Sequence, residues 1–333
     1  MSRAMKPDDL RVDDFLGRVS WIHTLPKPWG SALVRAAEAD PRIVCLCADV
    51  TPPTETDFFR DRIPDRFFQM GIAEANMIGV AAGMARTGDI AFAHSFAAFA
   101  TKRCYDQISM QLAYPRLNVK VVGFTPGIST FLGVTHHAIE DVAMIRATPN
   151  MILLEPSGPE QFNAVLDAAL GFDGPAYLRM ARTYGPLPEG MVHQPLEVGR
   201  GYVLREGADC AIVAAGLMVA PAREAAALLA AEGIEATVVN MSSLKPLDEA
   251  LVVRVARETG AVVTAENHTI IGGLGSAVAE PLMEAGVACG FRRIGLRDTF
   301  AEGATPASLF RKYGLSAEAI AGACREAIAA RRA

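Results

Sequence analysis

Short apolar, β-branched runs alternate with longer helical patterns along nearly the whole chain, and no other feature restricts its fold so tightly. In the first half, residues 42–48, 89–94, 118–123, 151–155 and 176–180 read as strands, with a shorter one at 67–70. Helical patterns lie between them, at 74–86, 97–113, 138–147 and 158–170. A second series follows, with strands at 210–215, 236–240, 261–266 and 291–297 and helices near 218–232, 247–258, 272–286 and 316–331. Strands that are apolar throughout and separated by helices belong to mostly parallel sheets covered on both faces. Between the two series, residues 183–201 hold three prolines and four glycines with no apolar period, the composition of a linker. With 333 residues, 51% of them hydrophobic, the chain can fill two cores. The expected fold is α/β: two three-layer α/β/α domains with mostly parallel sheets, at residues 20–185 and 201–333, joined through 186–200.

Charge and cysteine usage narrow the function. The formal balance is −5, from 32 Lys+Arg against 37 Asp+Glu, with no basic block, so nucleic acid and polybasic membrane contacts have no electrostatic footprint. No apolar run approaches the roughly 18 residues that cross a bilayer. Residues 1–15 carry charges from the start, unlike a signal peptide. The six cysteines, at 45, 47, 104, 210, 289 and 324, form no CxxC, and several sit in apolar runs. They read as reduced thiols packed as small hydrophobes in a cytoplasmic protein.

In open parallel sheets ligands bind outside the carboxyl ends of the strands, which makes residues just past strands the candidates for chemistry. Glu74 is one. It follows the strand at 67–70 and is the only acid in residues 71–85, a helix apolar on nearly all sides and rich in small residues. A carboxyl buried there loses solvation, and its pKa rises unless a cation or several N–H donors compensate. The plainer reading is a glutamate satisfying free N–H groups at a helix start. After the strand at 89–94 come Phe96, Phe99 and Arg103, which share one helical face at i, i+3 and i+7 spacing. Two aromatics there can wall a planar ring, or simply pack the core.

Together these segments resemble the pyrimidine-binding domain of the transketolase family. Gly71-Ile72-Ala73-Glu74-Ala75-Asn76 is similar to the family's glutamate motif, and Ser95-Phe96-Ala97-Ala98-Phe99 to its aromatic one. Thr135-His136-His137-Ala138-Ile139-Glu140-Asp141 and, in the second half, Glu266-Asn267-His268 onward to Ala277 resemble further blocks in the same order. The resemblance implies thiamine diphosphate chemistry. Glu74 would bond N1′ of the aminopyrimidine and promote the imino tautomer that accepts the C2 proton, a task for a shielded, proton-sharing carboxyl. Phe99, with Phe96 behind it, would pack on the pyrimidine face, and Asp49 would lie near the same ring. His136 would hydrogen-bond a substrate hydroxyl or a developing oxyanion, with His137 the weaker candidate. Arg182 would hold a substrate phosphate through its fork of donors.

The chain also departs from the family. Pro52 and Pro53 stand where a serine is expected, Phe124 and Leu132 where a histidine and an aspartate are, and Pro26 and Lys27 near an expected arginine. Lys102 or Arg103 could substitute. These departures point to a ketose whose anionic end differs from that of the ordinary pentose and hexose phosphates. The Gly-Asp-Gly…Asn motif that grips the cofactor's diphosphate through a divalent metal is absent, since Gly88-Asp89 runs on into Ile90. A hard cation such as Mg²⁺ needs a set of oxygen ligands that this sequence does not offer. No metal site is therefore expected on this chain, and the family's N-terminal domain is missing as well. The resemblance then implies a split enzyme that moves a two-carbon ketol unit from a ketose to an aldose. This chain would be its C-terminal subunit, exposing a large apolar patch when alone and active only with an N-terminal partner subunit. The partner would carry the diphosphate and Mg²⁺, thiamine diphosphate would sit between the two, and the assembly would be an α2β2 heterotetramer.

Other readings stay open: the β-subunit of a 2-oxo acid dehydrogenase, a relative of deoxyxylulose-phosphate synthase, or a catalytically silent assembly subunit. From a different class, Gly273-x-Gly275 could be the turn of a dinucleotide-binding domain with Asp298 on the ribose, although Val278 replaces the third glycine. The role of the second domain and of His268 is likewise open.

Overall fold

The computed structural model describes residues 27–182 and 194–331. Pro26, the first residues of the expected N-terminal domain and 186–193 of the expected linker lie outside them. In chain order the strands are β1 (Ile43–Cys47), β2 (Phe67–Gln69), β3 (Ile90–Phe96), β4 (Val119–Phe124), β5 (Ile152–Leu154), β6 (Ala176–Met180), β7 (Tyr202–Arg205), β8 (Cys210–Ala214), β9 (Ala236–Asn240), β10 (Ser243–Lys245), β11 (Ala261–Thr269) and β12 (Gly290–Leu296). They form a seven-stranded sheet of order β10-β5-β6-β4-β3-β1-β2 and a five-stranded sheet of order β12-β11-β8-β9-β7. Both sheets are parallel except where β10 runs against β5 and β7 against β9. The α/β class and every strand expected from the sequence are present. Strands β1, β4, β6, β8 and β9 are buried at every position, as strands covered on both faces must be. Among the described residues no helix is long and apolar enough to cross a membrane.

The first sheet has its switch of direction between β1 and β3. The chain leaves β1 toward β2 on one side and returns to β3 on the other. A crevice at the carboxyl ends of those two strands is where such sheets hold ligands. Asp49, Glu74, Phe96 with Phe99, and Arg182 follow β1, β2, β3 and β6 respectively, so all of them reach this one edge.

Three local expectations are corrected. The pattern at 97–113 is not one helix: an α-helical turn at Ala97–Thr101 gives way to 3₁₀ at Lys102–Cys104 and a π-helical stretch at Ile108–Ala113. Side chains compete with the helical ladder at the break. Thr101 Oγ1 donates to Ala97 O at 2.6 Å and Cys104 Sγ to Phe99 O at 3.3 Å. Phe96 therefore ends β3 in extended backbone and does not share a helical face with Phe99. The helix expected from residue 138 begins only at Asp141. Finally, β10 comes from the second half of the chain yet extends the first sheet. Glu155 N donates to Ser242 O at 2.7 Å beside it, and Lys245 Nζ caps the helix Asp141–Ala147 by donating to the carbonyls of Arg146 and Thr148. Three residues with no alternation leave no periodic signal to read.

The two sheets are locked by Arg179 of β6, whose side chain is 0% exposed. Its Nε donates to Asp141 at 2.8 Å and its Nη1 to Glu155 at 2.5 Å. Its Nη2 donates to Ala138 O at 3.1 Å and to Asn267 O of β11 at 2.9 Å. Tyr177 OH adds a 2.7 Å bond to Asp141. Removing the cation strands two buried carboxylates, so Arg179→Met should lower unfolding free energy by about 3–5 kcal/mol in denaturant titration. A loss within the error of the titration would show that the network is not a structural anchor.

Candidate active site at the carboxyl edge of the first sheet

Glu74 opens the helix Glu74–Arg86 and is only 3% exposed. The compensating cation that the sequence left open is Arg103, whose Nη1 lies 3.3 Å from Glu74 Oε2. The same guanidinium lies over the Phe99 ring, 4.3 Å from its centroid. A flat, proton-donating, cationic group thus rests on Phe99 while bonded to Glu74. Phe96 and Phe99 meet with centroids 6.0 Å apart and planes at 49°, close enough to form one wall despite the break in the helix. The tilt is a usual aromatic geometry.

His136 completes the cluster. Its ring meets Phe99 edge-on at 4.9 Å and Phe96 at 6.0 Å, and Nδ1 is 2.9 Å from Thr135 Oγ1. Burial, reinforced by the Arg103 charge, pulls its pKa below the ordinary histidine value. His137 is buried, with Nε2 2.9 Å from Thr130 O, and acts as a brace for the loop. Lys102 pairs with Glu140 at 2.8 Å and donates to His137 O at 3.3 Å, so it too holds this loop. Beside Glu140 a cleft of about 340 Å³ opens between the two halves, lined also by Ile139, Thr269, Ile271 and Phe300.

Asp49 and Arg182 lie past β1 and β6 at the same sheet edge. Asp49 is exposed with φ 57°, and its backbone N–H donates to Gln69 Oε1 at 2.9 Å. Arg182 belongs with a group that sequence reading missed. Glu55 sits at φ 61° and accepts from Trp29 N at 2.8 Å and Gly30 N at 3.1 Å, at the start of the helix Pro28–Ala39. Burial raises its pKa to about 7, against those two bonds and the charges of Arg182 and Lys27. Lys27 is itself paired with Asp57. Two cations from opposite ends of the first half therefore converge on one buried carboxyl. A lone Glu-Thr-Asp stretch gives no hint of this, because the partners are far away in sequence.

Glu266 removes the dinucleotide reading. Its carboxylate accepts from Leu274 N at 2.7 Å and Gly275 N at 2.9 Å, occupying the helix start where a pyrophosphate would bind. A Cβ on Gly273 would lie 1.9 Å from Glu266 Oε2, so this glycine serves close packing. His268 is buried near Asp141 and Glu266, and burial drops its pKa to about 4, making it a neutral structural ring. Among the described residues no group of three His, Cys, Asp or Glu side chains could hold a metal.

Comparison with known proteins gives the family. Residues 25–186 match the transketolase pyrimidine binding domain and residues 199–320 the transketolase C-terminal domain. The chain belongs to the transketolase family. The 6-deoxy-6-sulfo-D-fructose transketolase subunit SqwH of Clostridium sp. (strain MSTE9) is 44% identical over 305 residues, covering 91% of this chain and 94% of the relative. A solved split-gene transketolase, described as an inactive beta4 tetramer, superposes with a TM-score of 0.85 at 45% identity, covering 92% of this chain and 98% of that one. The 1-deoxy-D-xylulose-5-phosphate synthase of Symbiobacterium thermophilum is 38% identical over 303 residues, covering 90% of this chain but 46% of the relative. This transketolase-family chain thus matches, over nearly its whole length, relatives that are transferase subunits.

The aminopyrimidine half of a thiamine site fits these residues. Arg103 already makes on Phe99 and Glu74 the stacking and hydrogen-bonding contacts that a flat basic ring would need. The lowered pKa of His136 predicts a ring that is neutral at pH 7. In a histidine NMR titration its midpoint should fall below the ordinary value of about 6.5, and a midpoint above that value would contradict the burial seen here.

Proposed function

We propose that this chain works as the C-terminal subunit of a divided, thiamine-diphosphate-dependent transketolase, moving a two-carbon ketol unit from a ketose to an aldose. The observation that carries the reading is the Arg103 guanidinium laid on Phe99 and bonded to Glu74. Thiamine diphosphate, when bound, supplies the electron sink for carbon–carbon cleavage. Glu74 would bond the ring nitrogen N1′ in place of Arg103 and share a proton with it. Phe99, backed by Phe96, orients the ring and excludes water from one face. His136, neutral at pH 7, offers a hydrogen bond to the substrate oxygen on which charge develops. Lys102 keeps the His136 loop in place, and Asp49 stands at the outer rim of the pyrimidine site.

The partner, on this proposal, is an N-terminal subunit that carries the diphosphate and a divalent cation such as Mg²⁺, in an α2β2 heterotetramer. Ile72, Met110 and Tyr114 are large apolar side chains left exposed on and beside the Glu74 helix, which suits a surface that a second chain covers. The domain limits at 20–185 and 201–333 belong to the same reading. So does a cytoplasmic location, supported by six cysteines that are all unpaired.

Substrate choice follows from Lys27 and Arg182, whose charges both act on Glu55 and which would hold the anionic end of the ketose. The sulfonated sugar named for the Clostridium relative is a candidate donor with such an end. The match to half of a deoxyxylulose-phosphate synthase supports a second reading, a synthase of that kind.

Reconstituted with its N-terminal subunit, Glu74→Gln should lose at least roughly 100-fold in turnover while its unfolding midpoint stays near the wild-type value. Near-normal turnover refutes the assignment of Glu74. In a donor panel of 6-deoxy-6-sulfofructose, fructose 6-phosphate, xylulose 5-phosphate and pyruvate, a ketose other than xylulose 5-phosphate should be best. Lys27→Ala and Arg182→Ala should each raise its KM roughly 10-fold or more. Xylulose 5-phosphate as the clear favourite overturns the specificity reading, and pyruvate, which is not a ketose, as the favourite overturns the ketol-transfer reading.

A further inference from the structure

The loop that carries His136 leaves β4 in the first sheet, yet what anchors it comes largely from the second. It departs through Thr125, a β-branched residue at φ 56°, and Gly127 at φ 59°. The first of these is strained backbone and the second is backbone that glycine readily adopts. Such strain persists only where the surroundings over-determine it. Here the surroundings are Asn267 of β11, 1% exposed. Its Oδ1 accepts from Ile128 N at 3.0 Å and its Nδ2 donates to Pro126 O at 3.0 Å. The approach is tight, since a Cβ on Gly127 would lie 2.2 Å from both Asn267 O and Oδ1.

The turn hands this constraint to the far end of the loop. Gly127 and Ala138 form an antiparallel bridge, each N–H bonded to the other's carbonyl, at 2.8 and 3.1 Å. Thr269 N, two residues beyond Asn267 on β11, donates to Ile139 O at 2.9 Å. Arg179 Nη2 ties Ala138 O to Asn267 O. Both feet of the loop therefore stand on β11, while the wall of Phe96 and Phe99 stands on the first sheet. Lys102 braces the loop from the first-sheet side, through His137 O and Glu140, so the loop bridges the two domains beside Phe99.

We infer that Asn267 is a positioning residue: from the second domain, its side-chain amide sets the place of His136 against Phe99 through the turn at 126–128 and Ala138. The inference rests on the reading of His136 as the substrate-facing histidine, and it gives the second domain a direct part in the site. An amide suits the task because the turn presents one N–H and one carbonyl. Asn offers both an acceptor and a donor, whereas an ionised carboxylate only accepts.

The test uses the chain assembled with its N-terminal subunit and thiamine diphosphate, carrying Asn267→Ala, Asn267→Asp, His136→Ala, or Asn267→Ala with His136→Ala. The first readout needs no turnover. The ring protons of His136, identified by their loss in His136→Ala, are shifted by the Phe99 ring. In Asn267→Ala they should move toward the position of an exposed histidine, while assembly and thiamine diphosphate affinity stay at wild-type levels. Ring signals that stay put overturn the inference. Should the alanine variant fail to assemble, Asn267→Asp carries the same measurement, since it keeps the side-chain shape and the bond from Ile128 N. The second readout is steady-state turnover with fructose 6-phosphate and with 6-deoxy-6-sulfofructose as donors. Asn267→Ala should lower kcat by roughly 10- to 100-fold, and the double variant should be no slower than His136→Ala alone. Fully additive losses would mean that Asn267 acts elsewhere, and would overturn the inference. If His136→Ala keeps full turnover, the substrate-facing reading of His136 falls, and the ring signals alone decide whether Asn267 sets the position of that ring.

Discussion

A charged guanidinium with no access to water holds this molecule together. Burial opposes the charge on Arg179, but Asp141 and Glu155 more than offset that cost and push its pKa up. An isolated buried cation would be far too costly to retain, so every donor on it must find an acceptor. Those acceptors come from the start of the helix Asp141–Ala147, from the residue after β5, from Ala138 in the His136 loop and from Asn267 in β11. Satisfying one side chain thus brings together two sheets and the loop between them. The opposed behaviour of the two acids fits this account. Burial tends to raise Asp141, but Arg179 and its hydrogen bonds hold it below the ordinary range, while burial keeps Glu155 above it.

The site grows out of the same architecture. Parallel strands send their carboxyl ends to one edge, and the switch of direction between β1 and β3 leaves a crevice there. Into it come Glu74 from the turn after β2, the phenylalanines from the end of β3, and His136 from the loop after β4. The interrupted helix after β3 is part of the design. Because Thr101 and Cys104 bond back to the backbone, the chain tightens at Lys102–Cys104, and Arg103 lands over Phe99 within reach of Glu74. Departures from regular helix of this kind often mark functional sites.

On the proposed function, the chain contributes one half of a catalytic centre. It has a shielded carboxyl, an aromatic wall, a neutral histidine and a pair of cations around Glu55, but among the described residues no cluster that could bind a metal. The proposed division is in keeping with the Clostridium relative of nearly the same length, which is itself named as a subunit. Large apolar side chains remain uncovered close to the glutamate, on a surface that is costly to leave in water.

The amino-acid order by itself determined the α/β class, the place of each long strand and the position of Glu74 and Phe99 at the carboxyl ends of strands. These are local properties: apolar runs, helical spacing and the punctuation between them survive in a linear reading. Strand order, the short β10, the break at Lys102–Cys104 and the meeting of Arg103 with Glu74 were decided only by tertiary structure. So were the convergence of Lys27 and Arg182 on Glu55 and the grip of Asn267 on the turn at Pro126. Apart from the break at Lys102–Cys104, which local side-chain bonds make, each of these depends on pairing groups tens to more than a hundred residues apart, as with the 139 residues between Ile128 and Asn267. A buried polar group takes whichever complementary partner the packed core brings to it, and sequence spacing carries no record of that choice.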